Sequence, residues 1–108
     1  MARVLSLSAD LMLASRVDAM LTAAGHHVVL ANSLAEAPLD EVELVVADLE
    51  TENPEALVGL GVPVLGYYSH VDVEAREVAE GAGVDLVVPR SRMSRELPAL
   101  AERLLAES

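Results

Sequence analysis

Five short apolar runs recur along the chain, and none alternates between apolar and polar positions as a half-exposed strand does. They cover residues 4–7, 27–31, 44–47, 62–66 and 84–88. Continuous apolar runs of this length are typical of strands that are buried on both faces of a parallel sheet. The pattern therefore predicts five strands in a sheet that is covered on both sides.

Segments with helical spacing follow the first two strands. The first helix is predicted to end before Gly25, because apolar residues recur three and four positions apart up to that point (Leu13, Val17, Met20, Leu21 and Ala24). Ser33 and Glu36 have the spacing of a capping box. Pro38 follows closely, so the second predicted helix is brief.

The later helices are delimited by capping residues and prolines. Asn53 supplies an N-cap for another brief helix that runs to about Leu60. Either Ser69 or Asp72 caps the fourth helix. The last helix carries an apolar stripe, and Pro98 is predicted to lie in its first turn, since proline is tolerated there. Its stripe consists of Leu97, Leu100, Ala101, Leu104 and Leu105.

The regular alternation of strands and helices predicts parallel strands joined by right-handed crossovers. This is an α/β architecture: a three-layer, flavodoxin-like (βα)5 doubly wound sheet with strand order 2-1-3-4-5. Residues 1–108 are predicted to form one domain. In such sheets, functional residues lie at the carboxyl ends of the strands.

Composition narrows the possible functions of the chain. Cysteine is absent, which excludes disulfides, thiolate metal sites and cysteine nucleophiles. Eighteen acids oppose seven bases, all of them arginine, and the formal net charge is −11. Because this charge repels phosphate backbones and anionic lipids, the sequence predicts binding to neither nucleic acid nor membranes. No signal peptide or bilayer-spanning stretch is evident, so we expect a cytoplasmic protein.

Polar and aromatic residues follow the predicted strands at their carboxyl ends. Parallel strands bring these ends to one edge of the sheet, so the side chains are expected to lie near one another. The residues are Ser8 and Asp10 after the first strand, Asn32 after the second, Asp48 after the third, Tyr68, Ser69 and His70 after the fourth, and Arg90 after the fifth.

Residues 43–49, Glu-Leu-Val-Val-Ala-Asp-Leu, resemble the phosphoacceptor strand of bacterial response-regulator receiver domains. Residues 81–85 resemble the turn before the last strand of these CheY-like domains. The resemblance implies a role in two-component signal transduction through a protein partner. It places Asp48 at the phosphoacceptor position and Tyr68 or Ser69 at the threonine or serine position. Arg90 stands where the family has lysine.

The resemblance fails at the acidic pair that normally follows the first strand. Ser8 and Ala9 occupy those two positions, and Asp10 comes one residue late. In the family this pair holds Mg²⁺, which prefers carboxylate oxygens. The chain is therefore interpreted as a stand-alone pseudo-receiver without ordinary Mg²⁺-dependent aspartyl phosphorylation. On this interpretation, we expect no catalytic residue, no bound metal and no cofactor. The alternatives are a flavodoxin-like small-molecule-binding protein and a small assembly or scaffold subunit.

Two patches of opposite charge are candidates for partner binding. The segment 89–95, predicted to be a loop, contains Arg90, Arg92 and Arg95, whereas residues 36–55 contain eight acids and no base. Glu50 and Glu52 are the acidic candidates. Such patches favour docking to a protein partner or a weak homodimer. Arg90 has two open interpretations, an ion pair with Asp48 or a solvent-exposed side chain.

The histidines and tyrosines give weaker indications. His26 and His27 are expected at the opposite end of the sheet, and neighbouring strand residues point to different sides, so no metal site is predicted there. Around His70, capping by Ser69 or Asp72 is preferred over a catalytic triad. Alternation along the fourth strand predicts that one of the tyrosines at positions 67 and 68 is buried and the other exposed.

Overall fold

The computed structural model describes residues 1–69 and 72–107. Each strand in these residues coincides with one of the predicted apolar runs, and its boundaries differ from the predicted ones by at most two residues. The strands are β1 (Arg3–Leu7), β2 (His27–Ala31), β3 (Leu44–Asp48), β4 (Val64–Tyr68) and β5 (Leu86–Pro89). The helices are α1 (Leu11–Ala23), α2 (Pro54–Val58), α3 (Val73–Ala82) and α4 (Arg90–Glu107), with a single 3₁₀ turn at Leu34–Glu36.

The strands form one parallel sheet in the order β2-β1-β3-β4-β5, which confirms the predicted topology. The register aligns their carboxyl ends. Leu7 pairs with Ala47, and Asp48 pairs with Tyr67 on the neighbouring strand. The residues that follow these positions therefore share one edge of the sheet.

Apolar side chains cover both faces of the sheet. On one face, residues of α1 and α4, such as Val17 and Leu97, pack against the strands. On the other face, Leu57 of α2 and Ala79 of α3 are fully buried against the strands. The continuous apolar strand pattern is thus explained by two separate cores, one on each side.

The predicted second helix is only a 3₁₀ turn, and the capping box does not form. Ser33 makes no side-chain cap hydrogen bond. Instead, the Leu34 amide donates to Glu52 Oε1 at 2.9 Å. The reason is Pro38, which disfavours helical geometry in the residue before it. Ala37 is accordingly extended, with φ −77° and ψ 135°.

Two predictions about the last helix are wrong. It begins at Arg90, directly after β5, so residues 90–95 are helical rather than a loop, and Pro98 lies inside the helix. An interior proline costs about 3 kcal/mol through its lost hydrogen bond and steric clash. Met93 and Leu97 are fully buried, and burying two such side chains contributes a comparable or larger stabilisation. Packing therefore overrides the boundary signal of Pro98.

Both tyrosines of β4 are buried, so the expectation that one is exposed is wrong. Tyr67 is 0% exposed and Tyr68 is 8% exposed. They do point to opposite faces, but β4 lies between β3 and β5 in a sheet whose two faces are both covered. Within residues 1–69 and 72–107, no helix has both the length and the apolar character needed to span a bilayer.

Candidate functional site

Asp48 ends β3 and organises the turn that follows it. Its Oδ1 accepts a hydrogen bond from the Glu50 amide at 2.9 Å, and its backbone carbonyl accepts from the Glu52 amide at 3.0 Å. The next residue, Leu49, packs over Gly66, where a Cβ atom would lie 2.6 Å from the leucine side chain. Glycine at position 66 therefore permits the close packing that holds the chain next to Asp48.

Arg90 forms the ion pair with Asp48, and the alternative of a fully solvated arginine is wrong. Its Nη2 lies 3.3 Å from Asp48 Oδ2 and 3.2 Å from Glu50 Oε2. Glu50 Oε1 also accepts a hydrogen bond from the Ser69 amide at 3.0 Å. This network, hereafter the Asp48–Arg90–Glu50 cluster, connects the carboxyl ends of β3, β4 and β5.

Burial dominates the electrostatics of Asp48. Its side chain is 3% exposed, and desolvation raises its pKa above the ordinary value of 3.8. The Glu50 amide and the Arg90 guanidinium act in the opposite direction, because both favour the ionised carboxylate. The net direction is upward, so burial outweighs these two contacts.

The raised pKa predicts an unusual pH dependence of stability. Below pH 3.8 Asp48 is protonated in both states; above it the unfolded chain loses the proton first. The folded state then binds more protons, so this group's contribution to stability is lost as pH rises through the raised pKa. Relative to wild type, Asp48→Asn should therefore gain unfolding free energy as pH rises from well below 3.8 through the raised pKa of Asp48.

Urea unfolding at several pH values measures this difference. Asp40→Asn is the matched control, because Asp40 is exposed and its replacement removes the same formal charge from the acidic chain. A difference that stays constant with pH, or that shrinks as pH rises, would show that Asp48 is not held in a desolvated environment.

Ser8 and Asp10 are engaged in starting α1. Ser8 is buried, and its Oγ accepts a hydrogen bond from the Asp10 amide at 3.1 Å. Asp10 is the N-cap of α1, and its Oδ1 accepts from the amides of Met12 and Leu13 at 2.9 and 3.2 Å. Asp10 thus has a capping role, which the helix requires.

These residues do not fit the Mg²⁺ ion that the receiver resemblance implies. Mg²⁺ requires near-octahedral oxygen coordination. Both Asp48 carboxylate oxygens already have partners, the Asp10 Oδ1 is used as a cap, and the Ala9 side chain has no ligand atom. Across residues 1–69 and 72–107, no cluster of three or more aspartate, glutamate or histidine residues is arranged to bind a metal.

Tyr67 is the site residue that sequence reasoning missed. It pairs with Asp48 across β3 and β4, and within the described residues its buried hydroxyl has no hydrogen-bond partner. Burial raises its pKa to about 12, with Asp48 adding to the rise, while Ser8 and Arg90 lower it. Ser8 is thus near the phenol, although the two hydroxyls do not reach hydrogen-bond geometry. The Tyr67 hydroxyl therefore lies among the site residues.

The other candidates lie outside this cluster. Tyr68 packs into the α2–α3 face of the core. On α4, Arg92 pairs with Glu96 at 3.5 Å, and Arg95 is exposed, with its Nε donating to the Ser91 carbonyl at 3.2 Å. Asn32 is exposed at the end of β2.

The remaining polar candidates do not take part in the cluster. Asp72 caps α3, accepting a hydrogen bond from the Ala75 amide at 3.0 Å, as one of the two capping alternatives predicted. His26 is buried at the opposite end of the sheet, where its Nδ1 accepts from the Ala2 amide at 3.1 Å. His70 lies outside the described residues.

No protein-family model matches the chain, and no curated protein matches its sequence. Solved structures do match. A response regulator receiver domain protein from Clostridium thermocellum superimposes with a TM-score of 0.83 at 14% identity, covering 99% of this chain and 96% of that one. This chain has the receiver-domain fold. The resemblance predicted from residues 43–49 and 81–85 is thereby confirmed for the fold.

Two further receiver structures agree with the first. A CheY-like receiver protein from Methanospirillum hungatei JF-1 has a TM-score of 0.84 at 18% identity, with 99% of this chain and 95% of that chain covered. The receiver domain of NtrX from Brucella abortus has a TM-score of 0.83 at 19% identity, with 97% and 99% covered. In this receiver fold, the Asp48–Arg90–Glu50 cluster lies at the edge where functional residues are expected.

Proposed function

We propose that this chain is a pseudo-receiver, a signalling module that acts by binding a protein partner and does not use ordinary Mg²⁺-dependent aspartyl phosphorylation. On this proposal it is not an enzyme, and it belongs to a bacterial, cytoplasmic two-component pathway. The net charge of −11 supports a protein partner over nucleic acid or an anionic membrane.

The engagement of Asp48 is the observation that carries the proposal. One carboxylate oxygen accepts from the Glu50 amide, and the other faces Arg90. Phosphoryl transfer to this carboxylate requires a free nucleophilic oxygen and cations that neutralise the moving group. At the family's metal-binding positions, Ser8 and Ala9 supply no carboxylate. Incubation with a small phosphoryl donor, with Asp48→Asn as control, tests this part of the proposal.

The contacts of Arg90 favour a single conformation of the site. Its guanidinium contacts both Asp48 and Glu50, whereas the lysine expected at this position carries a more compact ammonium group. We infer that the cluster holds the ends of three strands together constantly, so that partner binding does not depend on a phosphorylation signal.

Several of the candidate partner-binding residues already make contacts within the chain. Arg90 and Glu50 are committed to the cluster, Arg92 pairs with Glu96, and Glu52 holds the 3₁₀ turn through the Leu34 amide. Substitutions at Arg90, Glu50 or Glu52 would perturb the fold as well as any interface, whereas the exposed Arg92–Glu96 pair contributes little to stability. Arg95 is exposed and, among residues 1–69 and 72–107, makes only a local contact with the Ser91 carbonyl, so it is the sharper probe of the basic surface.

If the basic surface formed by Arg90, Arg92 and Arg95 binds the partner, Arg95→Glu should weaken the affinity for a partner isolated by pull-down by about tenfold, or ~1.4 kcal/mol. Raising salt should also weaken binding, because ions screen exposed charges. Arg103→Glu is the matched control, since Arg103 is an exposed arginine farther along α4. Binding that responds neither to salt nor to Arg95→Glu, measured by calorimetry, would move the interface away from this surface.

A further inference from the structure

A groove opens beside β2 at the edge of the sheet that carries Asp48, with a volume of about 290 Å³. Its apolar lining includes Leu11 and Ala14 of α1, Leu30 of β2, and Pro38. Asn32 and Glu36 add polar groups to its rim. Ser8, which is buried, also lines the groove, so the lining combines apolar side chains with a few polar groups.

The segment after β2 forms one 3₁₀ turn at Leu34–Glu36, and Glu36 of this turn lines the groove. Large apolar side chains at and beside the groove are accessible to solvent. Leu30 is 46% exposed, Leu11 is 76% exposed and the neighbouring Met12 is 84% exposed. Exposed apolar side chains that adjoin a groove and have polar residues at its rim are typical of a protein interaction site.

Strand β2 adds an open backbone edge to this surface. Within the described part of the chain it pairs only with β1. The His27 amide donates to Ala2 and the Ala31 carbonyl accepts from Ser8, so alternate residues of β2 face β1. The backbone groups of Val28 and Leu30 therefore point outward. β2 has no acidic, lysine, arginine or proline residue to block pairing at this edge.

The charges around the groove favour a basic binding partner. Glu36 lines the groove, Asp10 directly precedes Leu11, and no lysine or arginine is among the lining residues. A second copy of the chain would bring the same acids and a further net charge of −11. A basic segment is complementary to this rim, whereas a second copy is repelled by it.

We propose that the groove binds an extended segment of a partner protein, which pairs with β2 and places one bulky apolar side chain, flanked by lysine or arginine, against Leu11 and Leu30. This inference rests on the proposed interaction function and assigns a surface to it. Main-chain pairing would supply affinity, and the groove and its acidic rim would supply specificity.

A displayed library of random dodecapeptides, selected on the wild-type chain, tests the inference. Leu11→Gln is the decisive variant, because it removes the apolar contact without adding charge to the acidic rim, and glutamine is compatible with a helix. Val73→Gln is matched to it: Val73 is exposed, begins α3 and also follows an aspartate N-cap. We expect basic peptides with an apolar anchor that lose at least about tenfold in affinity on Leu11→Gln and less than about twofold on Val73→Gln.

The outcomes separate the groove from the proposed function. Selected peptides that bind Leu11→Gln as well as wild type, or no enrichment at all, would overturn the groove. If the selected peptides instead lose affinity on Arg95→Glu, the interaction module stands with its surface on α4. If sedimentation shows a wild-type dimer that Leu11→Gln dissociates, the occupant is a second copy and the partner-segment proposal is wrong.

Discussion

Replacing Tyr67 by alanine should lower the free energy of unfolding by about 3–5 kcal/mol, the usual cost of removing a buried aromatic side chain. Replacing it by phenylalanine should change stability by less than about 1 kcal/mol, or increase it. The reason for the contrast is that Tyr67 is fully buried while its hydroxyl has no hydrogen-bond partner in the described structure. We therefore expect the ring, and not the hydroxyl, to contribute to stability.

Urea unfolding followed by far-ultraviolet circular dichroism measures both changes. Tyr68→Phe is the control, since Tyr68 occupies the opposite face of the same strand. A loss of about 2 kcal/mol or more in Tyr67→Phe would show that the phenol makes a strong hydrogen bond. In that case the hydroxyl would be an organised part of the site instead of an unpaired group among Ser8, Asp48 and Arg90.

The parallel sheet could be predicted because each strand is a continuous apolar run, and the runs alternate with segments of helical spacing. The strand order followed from the few orders that such doubly wound sheets adopt. Boundaries were less predictable. The fourth strand begins at Val64, two residues later than expected, and includes both tyrosines. The start of α4 was missed because Pro98 is a strong local signal, whereas the burial of Met93 is a tertiary effect that no local pattern reveals.

In the candidate site too, the placement of residues could be predicted but their side-chain contacts could not. Parallel topology placed Asp48 and Arg90 at one edge, but it could not decide whether the two side chains meet. That depends on Glu50, which approaches Arg90 from the turn after β3. Tyr67 was missed because its place beside Asp48 follows from the register between β3 and β4, which the sequence pattern does not specify.

The largest expected chemical effect is the absence of phosphoryl transfer to Asp48. Two features act against the same reaction. The Asp48 carboxylate is 3% exposed and engaged by Arg90, and the family's two metal-binding positions hold Ser8 and Ala9. Because charge neutralisation of the transferred group accounts for most of the rate in such reactions, losing the metal ligands alone should remove most of the activity.

Adding the missing carboxylates provides a comparison. Ser8→Asp/Ala9→Asp restores acids at both positions, and we expect it to accept phosphate more readily than wild type. Asp48→Asn removes the acceptor oxygen while keeping the side chain's size. Any adduct that persists in Asp48→Asn therefore lies at another residue.

Intact mass spectrometry after incubation with acetyl phosphate and millimolar Mg²⁺ tests the pseudo-receiver proposal most directly. We expect the wild-type chain and Asp48→Asn to keep their unmodified masses under conditions that label a conventional receiver domain. A stoichiometric adduct of about 80 Da, the mass of one phosphoryl group, on wild type but not on Asp48→Asn would contradict the proposal and show that the phosphorylation switch is intact.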